Sequence, residues 1–245
     1  MAAPVRRSAA DLFDNPAFSD VTILQFDGYE ELHEYRAHKA VLCMESGFFR
    51  EAFTEDYREK DSIKIKGDDN LHFELLLKYI YTNHYDTDEI AKLADKDSIE
   101  RILIPMGICV VATKYMVPAI YEMTSEDVRM LLSTQETDTY TLLRVAIAAH
   151  YVQGSKADTP MGKLIVSVIL EGQCKFTESV SYEGTLKAYP TFAVDMALVL
   201  ARNITHRRCP SCSNDFTFRS RIRKEKKQTS VFCSLCKTAV RCVAA

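Results

Sequence analysis

From Asp20 the run Val21-Thr22-Ile23-Leu24-Gln25-Phe26 is rich in β-branched and apolar residues, side chains that suit a pleated, half-buried surface. Asp27-Gly28 follows as a hairpin signal, because glycine reaches positive φ at low cost. The pattern predicts a strand, a turn and a second strand through Tyr35. Ala37, Ala40, Val41 and Met44 then recur at helical spacing, as do Phe48, Phe49, Ala52 and Phe53 beyond Ser46-Gly47, so two short helices should meet at that break. Ser62-Ile63-Lys64-Ile65-Lys66 alternates with period two, and Gly67-Asp68-Asp69-Asn70 ends it before helical periodicity resumes from Leu71 to Tyr81. Strands and helices are interleaved over the first 85 residues.

From Ile90 onward no convincing strand is expected before the C-terminal part. Ile102 to Tyr115, Tyr140 to Val152, Pro160 to Leu170 and Pro190 to Arg202 read as apolar-rich helices, with Pro160 and Pro190 near helix starts, where a missing N–H costs little. No internal repeat is evident. The longest apolar stretch, Ile102 to Val111, is broken by Pro105 and Gly107 and falls short of the roughly 20 residues a membrane span needs. The N-terminal MAAPVRRSAADLF lacks the apolar block of a secretory signal. The expected location is nucleus or cytoplasm, without secretion or membrane insertion.

Composition is that of an ordinary globular chain, but charge divides it. From Ala201 to the end the formal charge is +9, against −12 for residues 1–200, a break that marks a domain boundary. Five of the eight cysteines fall in the last 37 residues. The other three, Cys43, Cys109 and Cys174, stand among apolar neighbours and read as ordinary buried thiols.

The run SDVTILQFDGYEELHEYRAHKAVLCMESGFFREAF, followed by IKI, LLLKYIYTNHYD and VATKYMVPAI, resembles a BTB/POZ domain over about Ser19 to Tyr121. The opening Ser19-Asp20-Val21, the His38-Lys39-Ala40-Val41-Leu42 helix, the Ser46-Gly47-Phe48-Phe49 helix and the Tyr79-Ile80-Tyr81-Thr82 helix carry the likeness. The acidic loop and the region including Leu142 to His150 are similar to fungal BTB proteins. The resemblance implies a mixed α+β fold used for protein–protein association, often homodimerisation, without catalysis. Asp20 and Lys39 match a charged pair in the family's dimer groove, and His38 belongs to the same partner interface. Tyr57-Arg58-Glu59 loosely fits the family's cullin-contact pattern, through Tyr57 and Glu59. A catalytic His38–Cys43 pair is not expected: five residues put the two on different faces of a helix, and no orienting third group is apparent. Glu30-Glu31 with His33-Glu34, and Asp86 with Asp88-Glu89, read as solvated charge runs.

The sharpest chemical signal is Cys209-Pro-Ser-Cys212, twenty residues, then Cys233-Ser-Leu-Cys236. Two C-x2-C pairs at this distance suit a structural Zn2+ site, with each short turn directing two thiolates at one ion. Phe216-Thr217-Phe218 and Thr229-Ser230-Val231-Phe232 are expected to form the hairpin between the pairs. Four thiolates close the coordination shell and leave no place for an activated water. His206 and Cys242 are the substitute ligands to weigh. Arg219, Arg221, Arg223, Lys224, Lys226 and Lys227 form a basic segment between the pairs, read as a solvated run, an import signal or an anion-binding finger for nucleic acid.

The expected organisation is an N-terminal segment 1–18, a BTB/POZ domain 19–124, a helical extension 125–203 and a small four-cysteine, zinc-ribbon-like module 204–245. The expected function is non-enzymatic association with a protein partner, as a homodimer. The alternatives are a nuclear regulator that binds nucleic acid through the basic ribbon, and a substrate adaptor of a cullin-type ubiquitin ligase. No Gly-rich phosphate loop or nucleophile–base constellation points to an enzyme.

Overall fold

The computed structural model describes residues 8–26, 32–54, 59–133, 139–152, 156–171 and 176–202, and in the C-terminal part 204–208, 211–212, 215–219, 229–232, 236–237 and 239–242. The chain forms two compact units, Met1–His150 and Tyr151–Ala245. The division falls within the stretch expected as a helical extension.

In the first unit, β1 (Val21–Phe26) pairs antiparallel with β2 (Leu32–Ala37) and parallel with β3 (Ser62–Lys66), giving the order β2-β1-β3. The parallel pairing requires a crossover, and α1 (Lys39–Glu45) and α2 (Gly47–Thr54) lie in it. The expected break between them is where Ser46 is buried. Its hydroxyl donates to the Tyr115 carbonyl at 2.6 Å and accepts from the Phe49 N–H at 3.2 Å, so one side chain caps α2 and ties it to a distant helix. Gly47 permits that approach, since a Cβ there would meet the Met116 side chain at 3.0 Å.

Alternation in β1 buries Val21, Ile23 and the polar Gln25. The Gln25 amide is satisfied, donating to the Asp68 carbonyl and accepting from the Tyr35 hydroxyl, both at 3.3 Å. Helix α3 (Asn70–Thr82) starts where Asp69 accepts from the His72 N–H and stops at Asn83, whose φ of 50° is the left-handed conformation of a helix end. It is followed by α4 (Thr87–Leu93), α5 (Ser98–Lys114), α6 (Ala119–Ser133) and α7 (Thr139–His150). Helix α5 begins before the expected Ile102, which leaves Pro105 in its interior. Two residues on, the His72 ring of α3 occupies the space a Cβ at Gly107 would fill. The core joins both sheet and helices through Phe49, Phe53, Phe73 and Tyr115, with ring centroids 5.1–5.8 Å apart.

The second unit contains α8 (Pro160–Leu170), α9 (Ser181–Ala188), α10 (Pro190–Arg202) and four short strands. Pro160 sits in the first turn of α8, as expected, with Thr159 capping it. Asp195 of α10 is buried, accepting from the Tyr151 hydroxyl at 2.9 Å and the Asp158 N–H at 2.6 Å.

The C-terminal pairing differs from the expectation. The Phe216–Phe218 and Thr229–Phe232 stretches are strands, β5 (Asp215–Arg219) and β6 (Thr229–Phe232), but they do not pair with each other. β5 pairs antiparallel with β4 (Ile204–Arg208), and β6 with β7 (Ala239–Cys242). Each connection is six residues long, and shorter loops lose less entropy on closure.

Candidate interaction site

The residues assigned to an interface by resemblance gather where β1, β2 and α1 meet. Asp20 precedes β1 and faces the end of β2: its N–H donates to the Ala37 carbonyl at 3.2 Å, and its carboxylate accepts from the Lys39 N–H at 2.8 Å. Helix α1 needs this outside help because His38, in the N-cap position, makes no side-chain cap. Asp20 therefore satisfies one of the unpaired amides of the first turn and adds a negative charge at the helix N-terminus. The other end is held by Arg50, whose guanidinium donates to the carbonyls of Cys43 at 3.0 Å and Met44 at 3.2 Å.

His38 is buried and structural. The Tyr81 hydroxyl oxygen accepts from the His38 N–H at 2.9 Å and lies 3.1 Å from Nδ1, while Nε2 lies 2.8 Å from the Ala17 carbonyl. One tautomer satisfies all three contacts: Nε2–H donates to Ala17, and Nδ1 accepts from the Tyr81 hydroxyl. Burial, opposed by the His38 N–H and reinforced by the Asp20 and Asp14 carboxylates, pushes the Tyr81 hydroxyl up to about 12. It therefore stays protonated and able to donate at neutral pH. Such a histidine ties the N-terminal segment to α3. Cys43 is half-buried, its thiol 3.6 Å from the Phe49 carbonyl and raised in pKa by burial, which disfavours the thiolate a nucleophile needs.

Around this junction the surface is apolar as well as charged. Phe18 is 85% exposed beside Asp20, and Met44 is 72% exposed near the far end of α1. The Lys39 ammonium lies 5.6 Å from the centroid of the Phe53 ring. Asp20 and Lys39 thus meet through carboxylate and backbone amide, with the lysine head placed over an aromatic face.

Two polar clusters escaped the sequence reading. Asp127 of α6 is buried, held in bidentate fashion by Arg101 of α5 at 2.7 and 2.9 Å, and accepts from the Tyr85 hydroxyl at 2.6 Å. Burial, then the bond to Asp127, pushes the Tyr85 hydroxyl up. Asp68 accepts from the Tyr115 hydroxyl at 2.6 Å and from Lys114 at 2.7 Å. Both link residues far apart in sequence; Asp68 in the β3–α3 turn is the only member with a local signal. The Asp86-Asp88-Glu89 run is a helix cap, since the Asp86 carboxylate accepts from the N–H groups of Asp88 and Glu89.

Glu59 is exposed, and Tyr57 lies outside the described residues. Cys212 is half-buried and Cys236 exposed, each in a turn, whereas Cys209 and Cys233 lie outside the described residues, as does Cys174. Among the described residues no group of three or more His, Cys, Asp or Glu is placed to hold a metal ion. Arg219 ends β5, and Arg221, Arg223, Lys224, Lys226 and Lys227 fall outside the description. No helix among the described residues is long and apolar enough to cross a membrane.

Residues 9–103 match the family model of the BTB/POZ domain. The chain is 27% identical over 109 residues to TD and POZ domain-containing protein 4 of Mus musculus, a match covering 41% of this chain and 28% of that protein. It is 37% identical over 82 residues to Kelch-like protein 15 of Gallus gallus, covering 33% of this chain and 15% of the relative. The Homo sapiens protein of the same name matches at the same identity over 12% of its length. The chain thus spans well under a third of the curated relatives it matches. A three-stranded mixed sheet with its crossover helices and the family match agree over one stretch, and residues 9–103 are a BTB/POZ domain.

Proposed function

We propose that this chain is a non-enzymatic protein-interaction protein whose BTB/POZ domain forms a homodimer through the face around α1. The observation that carries the reading is the BTB/POZ match over residues 9–103, together with large apolar side chains, Phe18 and Met44, exposed beside the charged Asp20 and Lys39. Exposed apolar groups set among polar neighbours suit a surface that a partner covers. Light scattering coupled to size exclusion tests it: the wild-type chain runs as a dimer, and Phe18→Asp combined with Met44→Asp gives a folded monomer. A wild-type monomer at micromolar concentration, or a double variant that remains dimeric, rejects the α1 face.

Two further roles build on this platform. Glu59 is exposed in the connection between α2 and β3, the place that the cullin-contact pattern occupies, and the matched relatives include Kelch-like proteins. In an adaptor role a cullin scaffold co-purifies with the wild type and is lost from Glu59→Ala. The +9 charge of residues 201–245 supports nucleic-acid binding by a nuclear regulator. Six phosphate contacts give a slope of log affinity against log salt of about −5, and no duplex binding at low salt removes that role.

A further inference from the structure

We infer that the outward face of α6 packs against the same face of a second copy of the chain, with the two helices antiparallel about a two-fold axis. Helix α6 buries Ile120, Thr124, Asp127, Val128 and Leu132. The opposite face of a surface helix is ordinarily polar. Here Met123 is 41% and Met130 64% exposed, and Ala119 and Glu126 are exposed between and before them. The steps from Ala119 to Met123, Glu126 and Met130 are four, three and four residues, the spacing of a helix–helix seam. At about 100° per residue the four lie on one side of the helix, opposite the buried Val128. The stripe therefore points away from the side that α6 buries.

The charges beside the stripe select the partner. Glu122 and Arg129 lie on the same flank, seven residues apart and opposite in sign. Two α6 helices run antiparallel with Ala119 of one copy opposite Met130 of the other, and Met123 opposite Glu126. In that register Glu122 of each copy falls against Arg129 of the other, because the flanking positions on this side of an antiparallel pair face each other across the seam. One two-fold rotation thus makes both pairs, as a self-complementary interface requires. A parallel arrangement forms neither. Arg129 already leans toward the stripe, its Nε 3.7 Å from the Glu126 carboxylate of its own helix.

The contact is adaptable and weak. Methionine side chains are flexible and polarizable, and they repack readily against one another. Glu126 in the middle of the stripe costs stability while fixing the register, the usual effect of a polar group in a seam. A single helix of 15 residues gives a small interface, of the size found in transient encounters. Assembly through α6 is separate from the proposed dimer through α1 and does not rest on it. A chain with two self-complementary faces builds beyond a dimer as its concentration rises, and the larger assembly binds a multivalent partner with greater avidity.

Sedimentation velocity of the full chain tests the contact, with Phe18→Asp and Met44→Asp present throughout to silence the α1 face. The average mass should rise from monomer toward dimer between micromolar and high-micromolar concentration, and Met130→Asp should abolish the rise. Glu122→Arg alone and Arg129→Glu alone should each weaken association roughly tenfold, since each turns two surface pairs from attractive to repulsive. Mixing these two variants should restore it, because a mixed pair again sets base against acid at both places. Recovery on mixing is an outcome that misfolding of either variant cannot imitate. No rise in mass, charge reversals without effect, or no recovery on mixing overturns the α6 contact. The α1 face is judged separately, by the mass at micromolar concentration, and the α6 face by the rise above it.

Discussion

The two ends of this chain are stabilised by different means. The N-terminal unit encloses an apolar core in which Ile23, Leu42, Phe49, Phe73 and Leu76 are fully buried, and the buried Gln25, His38, Asp68 and Asp127 find partners across the fold. The C-terminal hairpins consist of strands of four or five residues in a stretch rich in like charge. A core tolerates the loss of one contact because many remain, whereas an isolated two-stranded hairpin is marginal in water. Acidic composition thus accompanies an extensive apolar core at one end, and basic composition accompanies short strand pairs at the other.

The largest expected effect breaks that contrast outright. If the four cysteines hold the zinc ion that their spacing suggests, chelation should erase amide exchange protection in β4 to β7 while β1 to β3 and α3 keep theirs, because structural zinc contributes about 10–16 kcal/mol to small zinc modules. Unchanged protection in β4 to β7 would remove the zinc expectation. Next comes Asp127→Ala, which strands the Arg101 guanidinium against α6. Breaking a buried pair on one side costs about 3–5 kcal/mol, measurable as a lower denaturation midpoint of the N-terminal unit. Asp20→Ala should cost about 1 kcal/mol, the usual value of a helix cap, and a much larger loss would give Asp20 a role beyond α1.

The smallest effect is in pH dependence. Tyr35 and Tyr81 are each raised to about 12, chiefly by burial, against an unfolded value near 10. A raised folded pKa means that the unfolded state loses its proton first. The associated stability is therefore intact below pH about 10 and drains away as pH climbs through about 12. Tyr81→Phe should flatten the alkaline slope of the unfolding midpoint relative to the wild type.

How much of this was legible depended on whether the signal was local. The period-two runs of β1 and β3 and the helical spacing of α1 to α3 announce themselves because each element places one face on the core. Helix α9 has no buried residue, and α4 is a seven-residue helix organised by its Asp86 cap, so neither leaves a readable apolar stripe. Strands β4 and β7, with sequences ITHRR and AVRC, carry none of the phenylalanines that mark β5 and β6. For that reason the residue pattern points to one hairpin between the cysteine pairs, when each pair has a hairpin of its own.

By itself the sequence determined the order of elements from β1 to α3, the BTB/POZ resemblance, the division of charge and the four-cysteine spacing, because each is a pattern carried by neighbouring residues. The tertiary structure alone decided that His38 is a tie between the N-terminal segment and α3, that Asp20 caps a helix from another element, and that Arg101 and Asp127 meet. Those contacts join positions 19 to 43 residues apart, and the chain brings such groups together only when burial of a common core offsets the entropy of closing the intervening loops.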